Sequence, residues 1–233
     1  MKILKQAERS IKEYMEWGEE EVYKEEREEK IFESICDTNE RLEKLRKEVG
    51  VCKKCKLGNT RIKAVFGEGS EISGLMFIGE GPGYDEDHTG EPFVGRAGQL
   101  LTKIIEAMGQ TRKNVYISNI VKCHPMMDDS NPEKRGNNRP PSLEEVKICK
   151  KYLDKQIEIL NPKLIVTLGI SSTKCLLNTD QTIGRIRGQV KKYKGINVMP
   201  TYHPAALLRN ENLKKYVWED MKRAKMFLKT GNI

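Results

Sequence analysis

The sequence predicts an α/β fold, a parallel sheet covered by helices on both faces. Three observations carry this. Four short apolar runs, at residues 75–79, 115–121, 164–169 and 197–202, have the length and content of strands buried on both sides. Helical patterns alternate with them, at 98–108, 142–160 and 171–177, and a last one lies near 213–228. The length, 233 residues, suits one α/β domain with appendages.

The appendage is N-terminal. Residues 1–36 are nearly all charged in two stretches, with sparse apolar positions such as Ile3, Ala7, Ile11 and Met15. That pattern predicts a long amphipathic helix or helical hairpin, open to an unidentified protein partner. Asp37-Thr38-Asn39-Glu40 reads as a capping box that opens a second helix at about 39–49, which Gly50 ends. The expected division is therefore a helical extension, 1–36, and an α/β domain, 37–233.

Charge separates the same way. Residues 1–50 hold 11 Lys/Arg and 15 Asp/Glu, while the rest of the chain nets +12 within a total of +8. A basic body favours a polyanion such as nucleic acid, although surplus lysine also serves simple solubility. No run of about 18 apolar residues exists, which excludes a membrane-spanning helix. No apolar leader opens the chain, and the expected location is the cytoplasm.

Each strand leads into an unusual polar segment. The first ends in Gly79-Glu80-Gly81-Pro82-Gly83, the second carries Asn119, and the fourth ends in Tyr202-His203-Pro204. Ligands of open α/β sheets bind beyond the carboxyl ends of the strands, so Glu80, Asn119 and His203 are expected to face one crevice. The glycines allow close backbone approach, and the carboxylates from Glu80 to Asp87 suit orienting a water or binding a metal. Glu91 to Gly98 is rich in glycine and opens a helix at Arg96, a place for a phosphate. Phe93 offers a stacking platform or a core side chain. After His203, Leu207 and Leu208 beside Arg209 make a loop of apolar wedges next to a cation.

Six cysteines occur in a chain expected to stay reduced. Cys52 and Cys55 form a CxxC after a helix, and Cys123 and Cys149 sit near polar segments. Four thiolates suit zinc or an iron–sulfur cluster. A redox CxxC needs a strand before it and a helix starting at the motif, which is not the pattern here. Cys36 and Cys175 stand apart, and Cys175 reads as core.

Taken together, the motifs resemble the family 4 uracil-DNA glycosylases, the iron–sulfur type. The resemblance runs through Gly79-Glu80-Gly81-Pro82-Gly83, Glu86-Asp87, Thr89-Gly90, Pro92-Phe93-Val94-Gly95 and Ala97-Gly98-Gln99-Leu100-Leu101. It continues through residues 116–123, Asn138-Arg139-Pro140-Pro141 and His203-Pro204-Ala205, covering about 39–228. It implies a four-stranded parallel sheet in an α/β/α sandwich. It also implies a [4Fe–4S] cluster of structural role on Cys52, Cys55, Cys123 and Cys149.

The uracil pocket then falls on Glu80, Gly81, Glu86, Phe93, Asn119 and His203. The implied chemistry is flipping of uracil out of single- or double-stranded DNA and hydrolysis of its glycosidic bond, leaving an abasic site. Phe93 stacks on the base, Asn119 reads N3–H and O4, and Glu86 crowds C5. His203 supports O2 as charge develops, and Glu80 holds the water. Arg96, Leu207, Leu208 and Arg209 meet the DNA. Two other readings stand beside this one: a relative excising hypoxanthine or xanthine, and a non-catalytic iron–sulfur DNA-binding protein. Residues 128–136 exceed the family spacing, as a tolerated surface loop or a change in DNA contact.

Overall fold

The computed structural model describes residues 25–231. The expected helices of residues 1–24, and any partner surface there, lie outside the described residues. The first described helix, α1 (Glu25–Gly50), is continuous. It runs through Asp37–Glu40 without a break, so no helix opens at 39. The reason lies in packing. Ile35, Leu42, Leu45 and Val49 are all buried on one side of α1, so the seam spans the place where a cap was expected. Asp37 pairs with Arg41 one turn on, at 3.4 Å, instead of capping.

Six strands form one sheet: β1 (Glu68–Gly69), β2 (Leu75–Gly79), β3 (Tyr116–Asn119), β4 (Leu164–Leu168), β5 (Lys191–Tyr193) and β6 (Ile196–Thr201). Their spatial order is β1-β3-β2-β4-β6-β5. The four central strands are parallel, as expected, and two short antiparallel strands extend the edges. The four-stranded expectation missed these edges because β1 is two residues long and β5 is short, lysine-rich and largely exposed. The β5–β6 hairpin closes through Lys194 and Gly195, whose φ values of 48° and 85° fit the left-handed turn that strand twist favours.

Side chains alternate across the sheet and build two cores. Met76, Ile78, Tyr116, Ile165 and Val198 meet α1, α5 (Leu143–Leu160) and α6 (Ile170–Leu177). Leu75, Phe77, Ile117, Val166 and Met199 meet the opposite layer. That layer holds α4 (Arg96–Ala107), α8 (Pro204–Arg209) and α9 (Lys214–Thr230). This is a three-layer α/β/α sandwich. Three short helices complete it: α2 (Leu57–Thr60), α3 (Tyr84–Thr89) and α7 (Ile183–Ile186). Among the described residues, no helix is long and apolar enough to cross a membrane.

Topology positions the site. From β2 the chain passes to β3 on one side, then returns to β4 on the other. A crevice opens where the direction reverses, beyond the carboxyl ends of the strands. Register pairs Gly79 with Asn119 and Leu168 with Thr201, so Glu80, Asn119 and His203 all emerge at that end. Buried Asp220 on α9 anchors the β6 end, accepting from Thr201 Oγ1 at 2.7 Å and from Arg187 at 2.8 and 3.0 Å.

The α1 seam gives a direct test of whether this helix belongs to the body. Leu45→Ala is expected to lower the unfolding free energy by about 2–5 kcal/mol, as for a core leucine. Urea titration beside Leu153→Ala on α5 measures this. A loss under about 0.5 kcal/mol, the range of surface substitutions, would make α1 a detachable accessory.

Candidate functional site

The crevice is an open cavity of about 330 Å³, lined among others by Glu80, Gly81, Glu86, Phe93, Asn119 and His203. All six residues expected in the base pocket therefore share one cavity, and Arg96 lines it too.

Asn119 ends β3 with its side chain buried. Its Oδ1 has no hydrogen-bond partner among the described residues. A buried carboxamide oxygen without a donor is costly, and one that lines an open cavity is placed to accept from a ligand. Gly79 sits opposite. A Cβ there would lie 2.4 Å from Asn119 Oδ1 and 2.4 Å from the Phe93 ring. Only glycine lets the amide and the ring come together.

Phe93 is held in a left-handed conformation, φ 55°. Arg112 fixes it there, donating to the Phe93 carbonyl at 3.1 Å and to the Pro92 carbonyl at 2.6 Å, while also bound to Glu68. Gly98 lets α4 dock directly on this backbone, since a Cβ there would fall 1.8 Å from the Phe93 carbonyl oxygen.

Glu86 holds two loops together. Its carboxylate accepts from the backbone N–H of Gly83 at 3.0 Å, Val94 at 3.0 Å and Gly95 at 2.9 Å. Glu80, by contrast, makes no side-chain hydrogen bond or ion pair among the described residues, and it faces the cavity.

His203 caps α8, with Pro204 at the first helical position. Its Nδ1 accepts from the Ala205 N–H at 3.1 Å, which leaves the proton on Nε2. Burial, helped by the Arg209 charge, pushes the imidazole down to about 4. The ring is neutral at physiological pH and stands 5.7 Å from the Phe93 ring, centroid to centroid.

The segment after His203 is a helix, not the expected loop. Its turn sends neighbouring leucines to different sides. Leu207 is 1% exposed and belongs to the core, while Leu208 is 43% exposed and Arg209 lies on the surface. Leu207 is thereby withdrawn from the expected wedge pair.

The cysteines form a separate patch. Cys123 and Cys149 are buried, and Cys52 and Cys55 half-buried. Burial pushes the Cys123 thiol up to about 12, and the nearby Cys149 and Cys55 add to the rise. Cys149 is raised by burial and by Cys55 and Cys52. Cys149 and Cys55 thus lie within electrostatic reach of Cys123, and Cys55 and Cys52 within reach of Cys149. Arg61 Nη1 donates to Cys123 Sγ at 2.9 Å and the Lys122 N–H to Cys149 Sγ at 3.3 Å. Sulfur atoms receiving N–H bonds inside an apolar wall suit metal thiolates. Among the described residues, no three His, Cys, Asp or Glu side chains converge on a single point fit for one metal ion. Cys36 and Cys175 are half-buried, and Cys175 packs on the core within electrostatic reach of Cys149 and Lys122.

Four residues have supporting roles that the sequence did not show, among them Asp87, expected with the carboxylates suited to a water or a metal. Asp87 is fully buried and accepts from the N–H groups of Ile62 and Lys63, at 3.1 and 3.3 Å. His124, also buried, lies 2.6 Å from Asn138 Oδ1. Arg139 forms a two-pronged pair with Glu145 of the α5 cap, at 2.7 and 2.8 Å. Arg112 is the fourth. Their partners are distant in sequence or on the backbone. The Ser142–Glu145 capping box is local to the start of α5 and says nothing of its arginine.

Comparison with known proteins agrees with this geometry. The model of the uracil DNA glycosylase superfamily matches residues 66–222. A type-4 uracil-DNA glycosylase of Sulfurisphaera tokodaii is 48% identical over 191 residues, 78% of this chain and 82% of that protein. Those of Saccharolobus solfataricus and Thermotoga maritima are 43% and 41% identical, over 80% and 82% of this chain and 86% and 96% of theirs. With this match lying across the sheet, the pocket and its glycine-built walls, the chain belongs to the uracil-DNA glycosylase superfamily, among its type-4 members.

Proposed function

We propose that this protein excises uracil from DNA as a monofunctional glycosylase, leaving an abasic site. The observation that carries the reading is the buried, unpartnered Asn119 Oδ1 beside the Phe93 ring. Uracil offers N3–H to that oxygen and O4 to the amide nitrogen. Cytosine presents an acceptor at N3 and a donor at C4, so both contacts turn repulsive.

The base reaches the pocket by flipping out of the stack, and Phe93 lies against its face. Glu86, fixed by three backbone donors, is a rigid wall against a 5-methyl group. The neutral His203 directs Nε2–H at O2. As the N1–C1′ bond breaks, its electron pair moves onto the base, and the bond to O2 strengthens in the transition state. Glu80, whose carboxylate has no partner among the described residues, orients the water whose oxygen bonds to C1′ and takes up its proton. Leu208 fills the gap in the stack, and Arg96 and Arg209 meet phosphates.

Cys52, Cys55, Cys123 and Cys149 hold a [4Fe–4S] cluster in this proposal, with a structural role. The support is the electrostatic coupling among these thiols and the N–H donors that reach Cys123 and Cys149.

Three measurements test these assignments. In single-turnover cleavage of DNA with one uracil, His203→Ala and Asn119→Ala are each expected to fall by about 10²-fold or more. Unchanged rates in both would remove the pocket assignment. The wild-type rate is expected to hold as pH drops from 7 to 5 and to decline near the His203 value of about 4. Because the unfolded histidine titrates near the usual 6.5, this group's share of stability is lost between about pH 6.5 and 4. A rate that falls through pH 6.5 would mean His203 titrates as an exposed group. Iron and sulfide analysis is expected to give about four of each per chain. Cys123→Ser should lose them along with thermal stability, and one zinc per chain would replace the cluster assignment.

A further inference from the structure

The loop 128–136 reaches the pocket with its last two residues, although nothing in the proposed chemistry uses it. Arg135 and Gly136 line the same cavity as Asn119 and His203. The loop is braced at several points. Asn137 Nδ2 donates to the carbonyls of Asp128 at 2.7 Å and Asn131 at 3.1 Å, and its Oδ1 accepts from the Asp128 N–H at 2.8 Å. Glu133 meets His88 of α3 at 2.9 Å. Asp129 meets Lys56, next to the CxxC, at 2.9 Å. A bridge between Met126 and Asn138 closes its base.

Arg135 is therefore delivered to a fixed place. Its guanidinium lies over the Tyr84 ring, 4.5 Å from the centroid, and one nitrogen donates to Asp85 Oδ1 at 2.9 Å. The side chain is still 74% exposed, and its other N–H donors have no described partner. A stacked plane tethered at one end presents the rest of its fork to solvent, the geometry that recognises phosphate.

The charges around the cavity give this a purpose. Glu80, Asp85 and Glu86 line it, and three carboxylates repel the phosphates flanking any nucleotide that enters. Of the lining arginines, Arg139 is engaged by Glu145 and backbone carbonyls. Arg96 and Arg135 keep free donors.

We infer that Arg135 is a further phosphate-binding residue, beyond Arg96 and Arg209, positioning the DNA backbone beside the flipped nucleotide opposite its acidic pocket. This rests on the reading of the protein as acting on DNA. Bracing of the loop lowers the ordering cost of the contact.

The test is binding of a labelled duplex with one stable abasic-site analogue to the intact holoprotein, across a salt series. Arg135→Ala is expected to bind about tenfold more weakly at low salt, and the slope of log K against log salt should shrink by about 0.9, one phosphate's worth. Arg135→Lys restores the slope with the charge, but recovers affinity only in part, having lost the fork and the stacking. An unchanged slope in Arg135→Ala would overturn the inference, and a lowered melting temperature with that unchanged slope would make Arg135 a loop brace. Absence of DNA binding by the wild type also overturns it. Uracil cleavage by the same preparations separates the two readings: a wild type that binds with the Arg135-dependent slope but cleaves nothing retains this inference and loses the proposed reaction.

Discussion

Lys122 lies entirely inside the protein, and among the described residues no carboxylate pairs with it. Burial pushes its ammonium down to about 8, against the opposing pull of the thiols of Cys149, Cys123 and Cys175. A buried amine is tolerated only when every proton finds an acceptor. Here Nζ donates to Ser118 Oγ at 2.6 Å, to the Asn119 carbonyl at 2.8 Å and to Gln156 Oε1 at 2.6 Å. Gln156 in turn donates to the Phe66 carbonyl at 3.0 Å and to Tyr116 Oη at 3.2 Å. One side chain thus fixes the end of β3, helix α5 and the approach to β1 with respect to each other. An apolar replacement leaves three buried acceptors short of a donor, so this network allows little partial loosening.

The pocket depends on close approach in the same way that the core depends on Lys122. Phe93 occupies a backbone region that costs a non-glycine residue about 1–3 kcal/mol. Arg112 offsets that strain with hydrogen bonds to two consecutive carbonyls, and Glu68 on the edge strand keeps Arg112 in place. The short strand β1, which contributes little to the core, therefore has a definite task. It supports the residue that holds Phe93. Gly79 and Gly98 complete the arrangement by leaving room on both sides of Phe93.

The sequence revealed what is periodic or dense in motif. Central strands buried on both faces read as apolar runs, and their carboxyl ends carry the pocket residues directly. Edge strands of two and three residues leave no period to read. Asp37–Glu40 looks like a cap when taken locally, yet the seam from Ile35 to Val49 runs straight past it, and tertiary burial prevailed. The leucines after His203 were read as a loop. On a helix, successive residues stand about 100° apart, which separates Leu207 from Leu208. Arg112 and Arg135 were illegible for another reason: their partners are carbonyls, a ring and carboxylates 44 or 50 positions away. Such contacts exist only after folding.

Residues 118–123 join the two halves of the molecule. Ser118 enters the polar network, Asn119 the pocket, Lys122 the core, and Cys123 the thiol patch. The cysteine patch and the base pocket therefore cannot shift independently. This accounts for a thiol-rich patch in a protein whose proposed hydrolysis needs no electron. Reading a base by a carboxamide works only if that amide does not turn. Half a rotation of the Asn119 side chain would put its nitrogen where its oxygen stood, and the same pocket would then greet cytosine. In the proposed reading, discrimination rests on holding one strand end still: its carbonyl fixed by Lys122 from behind and its side chain confined by Gly79 and Phe93 in front.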